Sequence, residues 1–244
     1  MARPRGQSRN SREVLVAAAV ENFTTLGYHG TSMRDVARTA GVTVASIYHH
    51  FASKQEILQH VMITTITDVL GATRRAVDEA TADGRTSPTE RLEALVDAWM
   101  IFHTTRQADA LIGASEIRSL DEAGRTVVVG YRDEQEALFR SIIEDGVSSG
   151  AFATNYPREA ARAIIEMGYS VSSWYRIGGE LSPEEMSVRY RELARGTVGD
   201  VSLAAASAGK PVKKVAAKAS VRGPAKKASA AKTAAKKVSA PKPA

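Results

Sequence analysis

Apolar side chains recur at every third or fourth position over most of the first 200 residues, a pattern that predicts amphipathic helices. The first such stretch covers residues 11–26, and Gly27 follows it as a helix stop. Thr31 or Ser32 can cap a second, short helix that ends at Gly41. The chain therefore opens with a long helix and a short one.

A third helix follows almost at once. Thr43 can cap it over residues 43–49, with Val42 and Ile47 packing inward. Two short helices joined by a turn that contains glycine form a helix-turn-helix pattern.

The sequence Ser53-Lys54-Gln55-Glu56 has the S-x-x-E form of a capping box and predicts the start of a fourth helix. Its apolar stripe continues for about 27 residues, roughly 40 Å of helix. Further helices are predicted at 89–106, 108–119, 122–149, 157–176 and 183–199. The sequence predicts an all-α fold of about nine helices, with an N-terminal helix-turn-helix domain and a C-terminal helical domain.

The outward face of the third helix is unusual for a surface helix. An ordinary helical bundle, the alternative interpretation, would carry long charged side chains there. Residues 43–46 are instead Thr, Val, Ala and Ser, small enough for a helix N-terminus to approach the floor of a DNA major groove.

The adjacent His49 and His50 raise the possibility of a metal or catalytic site. Neighbouring helical residues point about 100° apart, so the two imidazoles do not converge on one ion. Neither histidine has a partner suited to metal binding or catalysis three or four positions on, and the chain contains no cysteine. We predict no metal, no cofactor and no catalytic residues, and we interpret His60 and His103 as structural or surface residues.

Three motifs occur in order at matching spacing: GTSMRDVA at 30–37, AGVT at 40–43 and IYHHFASK at 47–54. Over about residues 11–58 the chain resembles the DNA-binding domain of TetR-family transcriptional regulators. One departure is Ala45, where the family often has glycine, and the added methyl group costs little clearance. The resemblance implies a homodimeric, all-helical, ligand-responsive DNA-binding protein.

The resemblance also implies which residues contact double-stranded DNA. Val44, Ala45, Ser46 and Tyr48 would face base edges and nearby phosphates. Phosphates would be held by Thr31, Ser32, Thr43, Tyr48, His49 and Lys54, and arginines of the N-terminal arm, Arg3, Arg5 and Arg9, would follow the backbone or enter a minor groove.

Charge is distributed unevenly along the chain. Residues 1–60 carry a net +3, residues 61–200 carry −8, and residues 201–244 carry +11, which together give the +6 of the whole chain. The last segment is rich in lysine and alanine and resembles the tails of histone-like bacterial proteins. We expect it to be disordered and to add non-specific DNA affinity.

These patterns divide the chain into four parts. They are a basic arm (1–10), a helix-turn-helix domain (11–56), a ligand-binding and dimerisation domain (57–200) and the tail (201–244). No apolar run is long enough to span a membrane, and the start lacks a signal peptide, so we expect a cytoplasmic, nucleoid-associated protein.

The C-terminal domain is loosely similar to those of actinobacterial regulators that sense acyl-CoA thioesters of fatty-acid or sterol breakdown. Such a ligand would need an apolar tunnel with arginines at its mouth. The candidates are Trp99, Met100, Phe102, Arg118, Tyr131, Arg132 and Arg176.

In this family the last two helices form an intersubunit bundle. The corresponding candidates are Ile164, Tyr169, Trp174, Met186, Tyr190 and Leu193. The resemblance thus implies a TetR-type repressor that binds a palindromic operator as a dimer and is released by a small effector, an acyl-CoA. Two alternatives stay open: an architectural nucleoid protein dominated by its tail, and an enzyme that acts on an acyl thioester but lacks a recognisable nucleophile–base pair.

Overall fold

The computed structural model describes residues 5–203, with side chains from residue 11 onward. The basic tail beyond residue 203 and Arg3 of the arm lie outside this range, as do the side chains of Arg5 and Arg9.

Nine α-helices and one 3-10 helix account for most of the described residues, and no strand occurs among them. The all-α prediction is confirmed. The helices are α1 (Arg5–Gly30), α2 (Met33–Ala40), α3 (Val44–Tyr48), α4 (Lys54–Ala82), α5 (Pro88–Thr105), α6 (Gln107–Ser115), the 3-10 helix (Glu116–Ser119), α7 (Glu122–Ser148), α8 (Pro157–Trp174) and α9 (Pro183–Val198).

Helix α1 is longer than predicted at both ends. The backbone of residues 5–10 is helical, so the proposed boundary between arm and domain is not a break in the helix. At the other end Gly27 leaves helical geometry with φ 74° and ψ 159°, and the chain then resumes helical structure to Gly30. A positive φ of this kind favours glycine, which explains why the predicted stop lies at this residue.

The starts of α2, α3 and α4 follow the predicted capping residues. The hydroxyls of Ser32, Thr43 and Ser53 accept hydrogen bonds from the third amide of their helices. The carboxylate of Glu56 accepts from the backbone N–H of Ala52 at 2.6 Å rather than from that of Ser53. The reciprocal bond of the predicted capping box is therefore displaced by one residue.

Two apolar cores are joined by α4. The first contains Phe23, Val36 and Ile47 of the first three helices, and it also includes Ile112 and Val128 from α6 and α7. The second surrounds Trp99 and Phe139 between α4, α5, α7, α8 and α9. We call α1–α3 with the first turns of α4 the head, and the helical remainder to residue 203 the body.

Three inward or interface assignments need correction. Val42 was expected to pack inward, but it is exposed and follows the left-handed turn at Gly41 that ends α2. Ile164 and Met186 were expected at a dimer interface, but each is only 1% exposed within the second core. Both lie on the inner face of their helix, so they are not available to a partner chain.

None of the helices in the described part of the chain is both long and apolar enough to cross a membrane.

Candidate functional site

The turn between α2 and α3 fixes the orientation of the short third helix. Gly41 adopts a left-handed conformation with φ 67°, and its N–H bonds to the carbonyls of Ala37 and Arg38. The Thr43 hydroxyl then accepts from Ser46 N at 3.2 Å. Ile47 is fully buried and anchors α3 to the head. One face of a five-residue helix is therefore held rigidly outward.

The outward face carries most of the residues predicted to contact DNA. Thr43, Ala45, Tyr48 and His49 are exposed, and Val44 and Ser46 are half-buried. Tyr48 is 54% exposed despite its large ring. The structure thus brings these six side chains to one surface, and their contact with DNA stays a prediction.

Thr31 does not belong to that surface. Its side chain is only 2% exposed, and its hydroxyl donates to Gly27 O at 2.8 Å. This bond supports the bend at the end of α1, so the prediction of a phosphate contact by the Thr31 hydroxyl is corrected. Ser32 remains exposed, and its hydroxyl and N–H are engaged with Asp35.

Lys54 has a structural role that the sequence did not indicate. Its ammonium group donates to Tyr28 O and Thr31 O, both at 2.6 Å, and lies 4.3 Å from the centre of the Tyr28 ring. Burial lowers its pKa, an effect that the Glu116 carboxylate partly offsets. Two of its three N–H groups are occupied, which leaves one for the predicted phosphate.

The adjacent residues His49, His50 and Phe51 differ in burial. Phe51 is buried, with the Arg12 guanidinium 4.8 Å from its ring centre and His60 beside it. His50 is half-buried, while His49 is exposed. The two imidazoles therefore face different surroundings.

A polar cluster connects the head to the body. Gln59 Nε2 lies 2.7 Å from both carboxylate oxygens of Asp121. The side-chain amide of Gln55 takes the orientation that satisfies both its nitrogen and its oxygen. In this orientation the nitrogen donates to Ser119 O at 3.0 Å and to the Tyr28 hydroxyl at 2.8 Å. Its oxygen accepts from Asp121 N at 2.7 Å. We call Tyr28, Gln55, Gln59, Ser119 and Asp121 the head–body junction.

Sequence reasoning missed this junction. Asp121 is the N-cap of α7, bonded to Gly124 N at 2.8 Å, and a capping aspartate there could have been recognised. The glutamines at positions 55 and 59 share one helical face, but nothing local shows what they contact. The side chain of Gln59 also passes so close to Gly124 that a Cβ there would lie 2.7 Å from it.

A small cavity of about 20 Å³ lies inside the body, between α4, α5, α6, α7 and α8. That is room for one water molecule. Its wall is mainly apolar and aromatic and includes Met62, Thr65, Ile66, Val69, Trp99, Phe102, His103, Gly113, Arg132 and Tyr169. We call it the inner cavity.

His103 is a buried titratable group of this wall whose pKa is shifted far from its usual value. It lies on α5, its ring centre is 4.2 Å from that of Trp99, and Nδ1 is 2.8 Å from Trp99 O. Burial lowers its pKa to about 4, although the bond to the Trp99 carbonyl opposes the shift. The imidazole is therefore neutral near pH 7.

Only some of the residues predicted to bind the effector line the inner cavity. Trp99, Phe102 and Arg132 line the inner cavity, as does Tyr169, which had been predicted for the dimer interface. The Arg132 guanidinium donates to Gly113 O and lies 5.5 Å from the centre of the Tyr169 ring. The other candidates differ in burial: Met100 is in the core, Tyr131 is half-buried, and Arg118 and Arg176 are exposed.

The outer faces of α8 and α9 retain part of the predicted dimer surface. Trp174 and Leu193 are half exposed, and Tyr190 is partly buried against the second core. Val188 and Ile177, which were not predicted, are also exposed apolar residues in this region.

Two family models match the chain. Residues 15–61 match a model described as bacterial regulatory proteins of the tetR family, and residues 85–198 match one described as a tetracyclin repressor-like C-terminal domain.

Individual relatives extend over most of the chain. The HTH-type transcriptional repressor KstR2 of Mycolicibacterium smegmatis is 29% identical over 194 residues, 79% of this chain and 92% of that protein. A tetR-family regulatory protein from Rhodococcus RHA1 superposes with a TM-score of 0.72 at 28% identity, covering 78% of this chain and 97% of that one. The ketosteroid transcriptional regulator KstR2 of Mycobacterium tuberculosis superposes with a TM-score of 0.70 at 25% identity, covering 78% and 95%.

The matches cover both the helix-turn-helix head and the helical body, in the order and with the architecture that the structure shows. The chain therefore belongs to the TetR family of bacterial transcriptional regulators.

Proposed function

We propose that this TetR-family regulator is a repressor that binds a pseudo-palindromic operator as a dimer and is released by an acyl-CoA thioester of lipid or sterol catabolism. The observation that carries the proposal is that one helix, α4, joins an outward-facing recognition helix to a body with an aromatic inner cavity. We assign DNA binding to residues 11–56 and ligand binding with dimerisation to residues 57–200.

The DNA-binding side rests on the exposed face of α3. Ala45 and Ser46 are small enough to approach base edges, and the Val44 and Ala45 methyl groups suit thymine methyls. Tyr48 and His49 extend beyond them towards the backbone phosphates. The face carries no acidic side chain, which would repel the phosphates.

The dimer would place two α3 helices in successive major grooves, roughly 34–36 Å apart. Trp174 of α8, Val188 and Leu193 of α9 and Ile177 between the two helices are exposed apolar side chains that a partner subunit would cover. Exposed apolar surface of this kind is typical of a protein–protein interface.

The head–body junction supports coupling between the two sites. A ligand that displaces α7 relative to α4 would break the Gln59–Asp121 bonds and shift the Gln55 contacts with Tyr28. Tyr28 follows the bend of α1 and is held by Lys54, so the head would tilt. By linkage, an effector that weakens DNA binding must itself bind more weakly to the DNA complex.

The effector class rests on the cavity wall and on the relatives. Apolar and aromatic side chains suit an acyl chain or a ring system. Arg132 and Tyr169 also line a cleft of about 310 Å³ between α7 and α8, so movement of these two side chains would open the inner cavity to it. The KstR2 relatives are named as repressors and as a ketosteroid regulator, which favours a lipid-derived effector here.

A gel-shift titration tests the proposal. The protein bound to an operator selected from its own genomic DNA is titrated with acyl-CoAs of increasing chain length and with a steroid acyl-CoA. We expect at least one of them to release the DNA, while coenzyme A alone does not. Release by a different class of small molecule and by none of the thioesters would overturn the effector assignment.

A further inference from the structure

The inner cavity contains an acceptor that no described residue satisfies. His103 is only 1% exposed, and its Nδ1 lies 2.8 Å from a carbonyl oxygen, that of Trp99. A carbonyl can only accept, so Nδ1 must carry the proton in the neutral ring. Nε2 is then a bare lone pair, and no donor among the described residues reaches it.

The lone pair faces the inner cavity rather than a packed wall. Every fully covered side-chain nitrogen or oxygen within the described part of the chain has a hydrogen-bond partner. Nε2 has none, so it must be open to a water-sized group, and His103 is part of the cavity wall. The ring packs against Trp99 in a tilted arrangement and against Tyr169 in a T-shaped one, and these contacts fix its orientation.

From this geometry we infer that His103 selects effectors whose buried end carries an O–H or N–H group, by accepting a hydrogen bond at Nε2. The inference deepens the proposed function and rests on it, since it takes the inner cavity as the effector site. With no ligand bound, we expect a single water at the same position, because the cavity has room for one.

The direction of the preference follows from the fixed tautomer. The lowered pKa keeps the ring uncharged near pH 7, so Nε2 stays unprotonated and cannot act as a donor. A ligand that presents a carbonyl or ether oxygen would place two acceptors face to face. A purely apolar end would displace the water and leave Nε2 unsatisfied, which weakens binding.

The surrounding side chains shape the rest of the ligand. Trp99, Phe102 and Tyr169 have ring centres within 5.6 Å of that of His103 and share the cavity wall with it, so a hydroxyl on a ring fits better than one on a flexible chain. Arg132 is held by Gly113 O at the cavity wall, and its displacement would make space for the ligand body.

The test uses 4-propylphenol and 4-propylanisole, which have similar shapes but differ in one O–H donor. Dissociation constants are measured by calorimetry on the full-length protein. We expect the phenol to bind about tenfold more tightly, the effect of one buried hydrogen bond. His103→Phe should abolish the difference, and His103→Gln, which keeps an acceptor, should retain part of it. His60→Phe, outside the cavity, should leave it unchanged.

Equal affinities in the wild type, or a preference that survives in His103→Phe, would overturn the inference, as would failure of both probes to bind. Folding of each variant is checked by its melting temperature, and the His103→Gln protein provides a second measurement if the phenylalanine variant is unstable. None of these outcomes bears on operator binding. Loss of operator recognition by the unliganded wild type would instead contradict the proposed function.

Discussion

At the scale of single residues, burial separates the side chains that act on a partner from those that hold the fold. Tyr48 and His49 are exposed, with no side-chain hydrogen bond to other described residues, whereas Thr31 and Lys54 bond to backbone carbonyls at the end of α1. The resemblance to TetR-family regulators implied phosphate contacts for all four. The difference arises at the bend of α1 at Gly27, where the carbonyls of Gly27, Tyr28 and Thr31 accept from these two donors.

Replacement of Lys54 distinguishes its two roles. Lys54→Met removes two charge-assisted hydrogen bonds, so we expect the free energy of unfolding to fall by about 1–3 kcal/mol in the absence of DNA. His49→Ala serves as the control, because it should weaken operator binding without changing stability. Unchanged chemical denaturation of the Lys54 variant would show that this lysine serves DNA alone.

The buried imidazole of His103 gives stability a defined pH dependence. Its pKa is lowered to about 4 in the folded chain, from 6.5 when exposed. Between these values the unfolded chain binds more protons, so the stabilising contribution is complete above pH 6.5 and is lost as the pH falls towards 4. Denaturation at pH 7.5 and pH 5.0 should differ by about 2 kcal/mol from this group. His103→Phe should show a correspondingly smaller difference, and identical differences would contradict the assignment.

At position 168 only glycine leaves room for the neighbouring Trp99 ring. A Cβ at this position would overlap the indole nitrogen of Trp99, which is itself bonded to Ile165 O at 3.2 Å. We expect Gly168→Ala to cost about 2–3 kcal/mol in denaturation experiments. Gly130→Ala is the matched control, because nothing lies within 4 Å of its added Cβ and alanine favours helix. A Gly168 variant as stable as the Gly130 variant would show that Trp99 has room to move.

At the scale of the elements, the local signals in the sequence located the helices well. Ser32, Thr43 and Ser53 cap their helices within one turn, so their effect does not depend on distant contacts. The sequence could not decide which apolar residue faces the chain's own core and which faces a partner. Ile164 and Trp174 share α8, yet one is buried and the other half exposed, since this depends on where α5 and α9 pack.

The same dependence on packing explains which residues of the candidate effector site the sequence identified and which it did not. Trp99 and Phe102 were found because aromatic residues on an apolar helix face are usually interior. His103 was missed because its significance depends on a carbonyl one turn away and on the space next to Nε2. The head–body junction was not predicted because it depends on contacts between residues about 60 positions apart in sequence, such as Gln59 and Asp121.

At the scale of the elements, we predict that the contact between α4 and α7 transmits the effector signal to the head. Gln59→Met removes the bonds to Asp121, so we expect operator affinity to be retained but its response to effector to fall severalfold. Arg74→Gln breaks an ion pair with Glu134 at 2.8 Å between the same two helices and should leave the response unchanged. Gel shifts with and without effector measure both. Equal responses in the two variants would show that the junction does not transmit the signal.

At the scale of the whole molecule, the distribution of charge distinguishes two modes of DNA binding. One is operator recognition by α3, and the other is non-specific binding by the basic tail. All eleven cations of residues 201–244 lie beyond residue 203. Deletion of residues 204–244 should lower non-specific affinity and its salt dependence, because fewer counterions are released. The operator preference of the α3 surface should remain. Loss of most binding would favour the architectural alternative over a repressor.

We expect the head to read a defined operator as part of a dimer. Footprinting on genomic fragments that the protein selects tests this most directly. We predict a discrete protected region with two symmetric half-sites whose centres are separated by about one helical turn, 34–36 Å. Uniform protection along the fragment, with no symmetric pair of half-sites, would contradict the account.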